Sequence, residues 1–301
     1  MRIEPTIAGT REALMAPSRI GAGIGLVPTM GNLHDGHLTL VGEARRRVGP
    51  DGLVAASIFV NRLQFGAGED FDKYPRTFER DCALLAEAGC DLLFAPHEGE
   101  MYPEPQTFHV VPDPALAGVL EGAARAGHFD GVCTVVMKLF SIVRPTLAVF
   151  GKKDYQQLML VRRMVEQFAL PIEIVAHDTV READGLAMSS RNGYLSAAER
   201  AEAPALNRAL RGLVEAVRAA RAAHAKARLD RARLAELENA AMAELHARGW
   251  RPDYLSVRRQ SDLQLPSDAQ LAGSEPLVAL GAARLGMPRL LDNIEIQGPD
   301  A

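Results

Sequence analysis

Two histidines three residues apart, His34 and His37, close the segment Pro28-Thr29-Met30-Gly31-Asn32-Leu33-His34-Asp35-Gly36-His37. An apolar, β-branched run precedes the segment and a helix-like run follows it. At that spacing both imidazoles lie on one side of a first helical turn. A helix N-terminus presents free N–H groups and a partial positive charge, so the combination suits a phosphate. Gly31 and Gly36 let backbone approach such a ligand. Zinc is the other chemistry open to a histidine pair. Here no Glu follows the first His as a zincin motif requires, and no third ligand is specified, so the phosphate reading is preferred. Gly21-Ala22-Gly23-Ile24-Gly25 has the wrong spacing for a dinucleotide fingerprint and reads as a turn.

The elements that must position this segment follow from periodicity. Short apolar runs at Ile24–Val27, Leu53–Val60, Asp91–Ala95, Leu147–Phe150 and Ile172–Ala176 predict strands. Helix-like segments at His37–Arg47, Phe78–Ala88, Val132–Val143 and Tyr155–Phe168 alternate with them. Alternation of this kind predicts a doubly wound parallel sheet that binds ligands at the carboxyl ends of its strands. After Leu195 the composition shifts. Ala197 to Arg248 is rich in Ala, Arg, Glu and Leu and predicts long helices whose mixed charges form a solvated face. Tyr254–Val257, Leu277–Leu280 and Leu290–Ile296 then predict strands of a small α+β domain. The expected architecture is α/β, a Rossmann-like domain over residues 1–182 followed by a smaller α+β lid over residues 183–301, with the boundary near Thr179–Arg191.

Length and charge agree with that division. A chain of 301 residues holds one large domain or two smaller ones. With 34 Lys plus Arg against 38 Asp plus Glu, the net charge of −4 argues against nucleic acid or an anionic membrane as the main partner. Cys82, Cys90 and Cys133 form no CxxC pair, so neither a disulfide framework nor a cysteine zinc site is supported. The first residues lack a signal-peptide pattern and no apolar run approaches the ~20 residues that span a bilayer, so a cytoplasmic location is expected.

Four blocks together carry a family resemblance. They are PTMGNLHDGH (Pro28–His37); SIFVNRLQF (Ser57–Phe65) with YPR (Tyr74–Arg76); HFDGVCTVVMKLFSIVRP (His128–Pro145) with FGKKDYQQL (Phe150–Leu158); and READGLAMSSRNGYL (Arg181–Leu195). The first resembles the HIGH-type signature of the nucleotidyltransferase superfamily, and all four, in order, resemble the pantothenate synthetase (pantoate–β-alanine ligase) family. RLLDNIEI near the end of the chain is a weaker echo. The resemblance implies two steps: pantoate attacks the α-phosphate of ATP, giving pantoyl adenylate and pyrophosphate, and β-alanine then displaces AMP. It also implies a homodimer.

Residue roles follow from the same resemblance. His34 and His37 would meet the ATP phosphates, with His37 as proton donor, and Lys153 and Arg191 complete the catalytic set. ATP contacts extend over Met30, Gly31, Gly151, Lys153, Asp154, Val180, Met188, Ser189, Ser190 and Arg191. Gln64 and Gln157 would bind pantoate, Gln64 also facing β-alanine, and Asn61 joins them as a substrate contact. The residue chemistry suits these roles. Gly151 permits close approach, Lys153 neutralises phosphate, Asp154 accepts from ribose hydroxyls, and the Arg191 fork matches phosphate oxygens. Taken without the family, SSRN is a polar turn and Asp154 a helix cap. Magnesium is expected with ATP, its ligands unassigned. Asp81 reads either as an outer ligand for it or as a helix-surface carboxylate. Two residues depart from the family. Arg62 stands where Pro is common, which would loosen the loop or add a cation, and Lys152 replaces an acidic residue and receives no role. Two other readings of the phosphate motif are a nucleotidyltransferase that releases an adenylylated product and a regulatory nucleotide-binding module without turnover.

Overall fold

The structure, a computed structural model, describes residues 1–15, 23–66, 68–69, 71–222 and 229–297. The chain divides into two compact units: Met1–Lys152 with Gln157–Thr179, and Lys153–Gln156 with Val180–Ala301. In chain order the first half comprises β1 (Arg2–Glu4), α1 (Ile7–Leu14), β2 (Ile24–Thr29), α2 (Asp35–Val48), β3 (Leu53–Ile58), α3 (Phe78–Glu87) and β4 (Leu92–Phe94). The short helices α4 (Glu98–Met101), α5 (Pro114–Ala117) and α6 (Glu121–Ala124) follow, then α7 (His128–Val143), β5 (Leu147–Gly151), α8 (Tyr155–Gln167) and β6 (Glu173–His177).

The sheet of this unit has six strands in the order β1-β4-β3-β2-β5-β6, and every pairing is parallel. Strands covered on both faces need continuous apolar runs, and β2 and β3 supply them with Leu26, Val27, Val54, Ala55 and Ala56 buried. Helix α2 packs Val41 and Ala44 into a core shared with Val27, Val54, Leu93 and Val149. The strand order runs outward in opposite directions from β2 and β5. Their carboxyl ends therefore form a topological switch point, the place where an open α/β sheet binds ligands.

All five strands and four helices expected for this region form, with ends shifted by a few residues at most. Strand β1, helix α1 and the short helices α4, α5 and α6 are additions to that expectation. Three residues, Arg-Ile-Glu, are too short and too charged to show a strand period, and β1 owes its place to pairing with β4 through Arg2↔Leu92 and Glu4↔Phe94. Of the glycine run expected to form a turn, Gly21 and Ala22 lie outside the described residues, whereas Ile24 and Gly25 open β2.

The second unit holds α9 (Ala197–Glu202), α10 (Ala205–Ala222), α11 (Arg231–Ala247), β7 (Arg251–Arg259), α12 (Asp268–Ala272), β8 (Leu277–Arg284) and β9 (Arg289–Ile296). The three strands form an antiparallel sheet in the order β7-β8-β9. The Ala-rich stretch is helical as expected, apart from residues 223–228, which lie outside the described residues. Its apolar side buries Leu206, Leu210, Leu213 and Val217 with Trp250 and Leu277. Small residues on β8 allow the close approach: a Cβ at Gly281 would stand 3.2 Å from a Leu206 methyl.

Candidate active site

Where β2 ends, the chain leaves the sheet through a turn fixed by two other segments, β3 and α3. Thr29 Oγ1 donates to the Ser57 carbonyl at 2.6 Å and accepts the Gly31 N–H at 3.3 Å. Gly31 has φ +82°, and a Cβ there would lie 3.1 Å from Asp81 Oδ2 and 3.2 Å from an Ile58 methyl, so glycine is needed for both backbone and space. Asp81, on α3, is 1% exposed. Its carboxylate accepts N–H groups from Asn32 at 2.8 Å and Leu33 at 2.9 Å, and the Thr77 hydroxyl at 3.0 Å. Asp81 is therefore neither a helix-surface carboxylate nor free to serve a metal. It holds the histidine loop. The signal lay in the helical period, because Asp81 falls four residues before the buried Leu85 and so on the inward face.

The loop delivers His34 as the N-cap of α2, in an extended conformation, with its carbonyl accepting the His37 N–H at 2.8 Å. The His34 N–H in turn donates to His37 Nδ1 at 3.3 Å. That acceptor role assigns the neutral His37 ring its proton on Nε2. The two rings lie 4.1 Å apart, tilted by 43°. A pair of imidazoles is thus gathered at a helix N-terminus, a place suited to an anion.

Beyond β3, the 3-10 turn Arg62–Gln64 presents Gln64. Asn61, 1% exposed, donates to Gln64 Oε1 and to the Gly131 carbonyl, each at 3.1 Å, and accepts from the Tyr102 hydroxyl at 2.8 Å. Gln64 Nε2 makes a weak bond to Met30 Sδ at 3.2 Å. Helix α7 lies so close that a Cβ at Gly131 would fall 2.2 Å from the Leu63 carbonyl oxygen. The Gln64 carbonyl accepts from His128 Nδ1 at 2.8 Å and from Arg125 at 3.3 Å. Arg125 also approaches His128 Nε2 at 3.0 Å and forks onto Glu69 at 2.7 and 2.5 Å. Burial, reinforced by the Arg125 charge, pushes His128 down to about 4, so it is neutral near pH 7. The Arg125 bond holds the Glu69 carboxyl below its usual range. No motif points to this network, since in the sequence His128 is only the start of a block.

The two departures from the family pattern have definite partners. Arg62 lies 3.9 Å over the Phe71 ring and bonds Glu98 at 3.1 Å, so the cation it adds is committed to these two partners. Lys152 pairs with Asp178 at 2.9 Å and holds that carboxyl below the ordinary range.

Gly151 ends β5, and Lys152–Asp154 form a 3-10 turn into α8, in which Gln157 is half-buried. Lys153 Nζ stands 3.5 Å from the Asp154 carboxylate. Farther along, the Met188 N–H donates to the Val180 carbonyl at 3.0 Å, and an isolated bridge joins Arg181 to Ala187, closing a small antiparallel loop. Ser189 caps the 3-10 turn Ser190–Tyr194 by accepting the Arg191 N–H at 3.3 Å. Asn192 anchors the turn to the Ala187 carbonyl at 3.0 Å. SSRN is thus a capped polar turn that also displays Ser190 and Arg191. Among the described residues no group of three or more His, Cys, Asp or Glu could hold a metal, and no helix is long and apolar enough to cross a membrane.

The structure therefore joins His34 to His37 and links Met30, Gln64 and Asn61 within the first unit. Lys153 pairs with Asp154, and Val180, Met188, Ser189 and Arg191 share one folded turn, within the second. The chain is similar to known proteins over nearly its whole length. The family profile described as pantoate-beta-alanine ligase matches residues 2–295. A pantothenate synthetase from Leptothrix cholodnii is 63% identical over 296 residues, covering 98% of this chain and 100% of that protein. The crystal structure of pantothenate synthetase from Thermus thermophilus superposes with a TM-score of 0.85 at 46% identity, covering 99% of this chain and 100% of that one. A pantoate-beta-alanine ligase from Francisella tularensis, complexed with beta-gamma ATP and beta-alanine, gives a TM-score of 0.74 at 31% identity over 98% of this chain and 97% of its own.

Proposed function

This chain belongs to the pantoate–β-alanine ligase family, and from that premise we propose how its residues divide the work. The enzyme is an AMP-forming ligase. It condenses (R)-pantoate with β-alanine at the expense of ATP, giving pantothenate, AMP and pyrophosphate through pantoyl adenylate. The observation that carries this reading is the single family's match across residues 2–295.

In the first step a pantoate carboxylate oxygen bonds to the α-phosphorus and the bond to the bridging oxygen of pyrophosphate breaks. Negative charge grows on the departing phosphates, so donors preset around them lower the barrier. We assign that task to His34 and to His37 Nε2–H, supported by the tautomer that the His34 N–H imposes. Met30 and Gly31 line the nucleotide from the same loop. Gly151, Lys153, Asp154, Val180, Met188, Ser189, Ser190 and Arg191 are assigned to ATP, with Lys153 and Arg191 carrying charge to phosphate. Gln64 and Gln157 bind pantoate. Asn61, assigned to the substrates from the family pattern, acts chiefly by holding Gln64, because its amide is engaged on both atoms. In the second step the β-alanine amine attacks the acyl carbon and AMP leaves with the oxygen it acquired.

The donor set offers magnesium no protein cage among the described residues, since Asp81 is committed to backbone N–H groups. The ion is taken to arrive on the triphosphate, as magnesium commonly does. A homodimer in the cytoplasm completes the proposal, and sedimentation velocity tests the dimer.

ATP–pyrophosphate exchange with pantoate alone, followed by AMP release on adding β-alanine, tests the whole reading. Pantoate-dependent exchange with amine-dependent AMP release is expected. Exchange whose adenylylated product is released and ignores the amine would instead mark a nucleotidyltransferase, and nucleotide binding without exchange a regulatory module.

A further inference from the structure

Strand β9 carries Asp292-Asn293-Ile294-Glu295, a sequence that takes no direct part in the chemistry above. Its side chains reach both nucleotide-associated segments of its own unit. Asn293, 6% exposed, donates from Nδ2 to the Lys153 carbonyl at 2.9 Å. Glu295 accepts from the Tyr155 hydroxyl at 3.1 Å, two residues farther on. Asp292, 4% exposed, takes both arms of the Arg181 guanidinium at 2.8 Å and the Asn207 amide at 2.8 Å. Arg181 passes the constraint on, donating to the Gly185 carbonyl at 3.1 Å and to the Asn293 carbonyl at 3.3 Å.

The parallel ladder cannot place Lys153, because β5 makes its last pair at Gly151↔His177. Residues 153–156 cluster with the second unit instead, and the contacts to β9 are a physical reason for it. A lysine is a point charge on a four-carbon stem, so the position of its Cα sets the volume that the charge can reach. We propose that β9 is the positioning strand for Lys153, with Asn293 fixing the peptide from which the lysine side chain departs. The inference rests on the assignment of Lys153 to the ATP phosphates. Asp292 gives the same strand its hold on the Val180–Arg191 turn, so one body carries both Lys153 and Arg191. Asparagine fits position 293 because the Lys153 carbonyl needs a donor, and an ionised aspartate would offer only acceptors.

A double-mutant cycle tests the link, with the rate of pantoate-dependent ATP–pyrophosphate exchange as readout. Asn293→Ala should slow exchange by about tenfold or more in the otherwise native enzyme, as misplacing a charge by about an ångström does, and by less than about twofold in the Lys153→Ala enzyme. The KM for pantoate should stay within about twofold, since Lys153 is not assigned to that substrate. Equal losses in both backgrounds, or none in the native one, overturn the inference. Should Asn293→Ala not fold, the same cycle with Asn293→Asp, which keeps the volume and removes the donor, decides under the same criteria. A Lys153→Ala enzyme with native exchange would remove the underlying assignment, whereas a slow Lys153→Ala enzyme with an additive cycle removes only the role of β9.

Discussion

The histidine loop and the Val180–Arg191 turn are held by different physics. In the first, a buried carboxylate on α3 takes up the backbone N–H groups of Asn32 and Leu33, 49 and 48 residues before it in the chain, while Thr29 ties the loop to β3. In the second, a half-buried guanidinium is clamped by a carboxylate 111 residues away. The first anchor acts on the backbone, leaving the loop little freedom. The second acts through a side chain, and the turn it steadies, Ser189 to Tyr194, is otherwise held by local capping. The difference teaches that the histidine loop is preset by buried backbone anchors on α3 and β3, whereas the Val180–Arg191 turn depends on a side-chain clamp from the last strand.

Breaking each side in turn sharpens the contrast. His37→Ala should have the largest effect, slowing adenylation by about 10²–10⁴-fold while leaving the pantoate dissociation constant within a few-fold. Single-turnover kinetics and equilibrium titration measure the two, and equal losses in both would refute the proton-donor role. Asp81→Ala comes next. It strands two backbone N–H groups in the interior, for a cost of about 3 kcal/mol in denaturant unfolding and a parallel loss of exchange. Asp292→Ala should cost less, about 2 kcal/mol: the buried Asn207 amide loses its acceptor, but Arg181 retains carbonyl partners and some solvent. A larger loss for Asp292→Ala than for Asp81→Ala would reverse the ranking of the anchors.

In the first unit a pH effect is expected from His128. His128 is held down to about 4 against 6.5 for a free imidazole, mainly by burial and next by Arg125. Between those values the unfolded chain binds a proton that the folded chain refuses, so stability falls as pH drops from about 6.5 to about 4, by up to about 3 kcal/mol. His128→Gln should flatten that part of the stability–pH curve relative to the native enzyme, and an unchanged slope would contradict the assignment. Arg62→Ala should do least, under about 1 kcal/mol, its exposed bond to Glu98 and its contact with Phe71 each being weak.

The fold was largely legible because its parallel strands are continuous apolar runs and its helices are amphipathic or Ala-rich. Strand β1 was not, since three residues with two charges gain strand character only from a neighbour. At the site, Gly31, His34 and His37 announced themselves by type and spacing within one segment. Asp81 was signalled only by its place four residues before Leu85 on α3, since a carboxylate on a helix is ordinarily solvated. The Arg125–His128 clamp on Gln64 and the reach of Asn293 to Lys153 join residues 61 to 140 positions apart. No local period encodes contacts of that range.

The central claim is a pantoyl adenylate made and consumed by one enzyme. Isotope transfer tests it most directly. Pantoate labelled with ¹⁸O in both carboxylate oxygens is turned over with unlabelled ATP and β-alanine, and the AMP is weighed by mass spectrometry. Attack of the carboxylate on the α-phosphorus, followed by amine attack at the acyl carbon, leaves one labelled oxygen in each AMP. AMP without label would contradict the account.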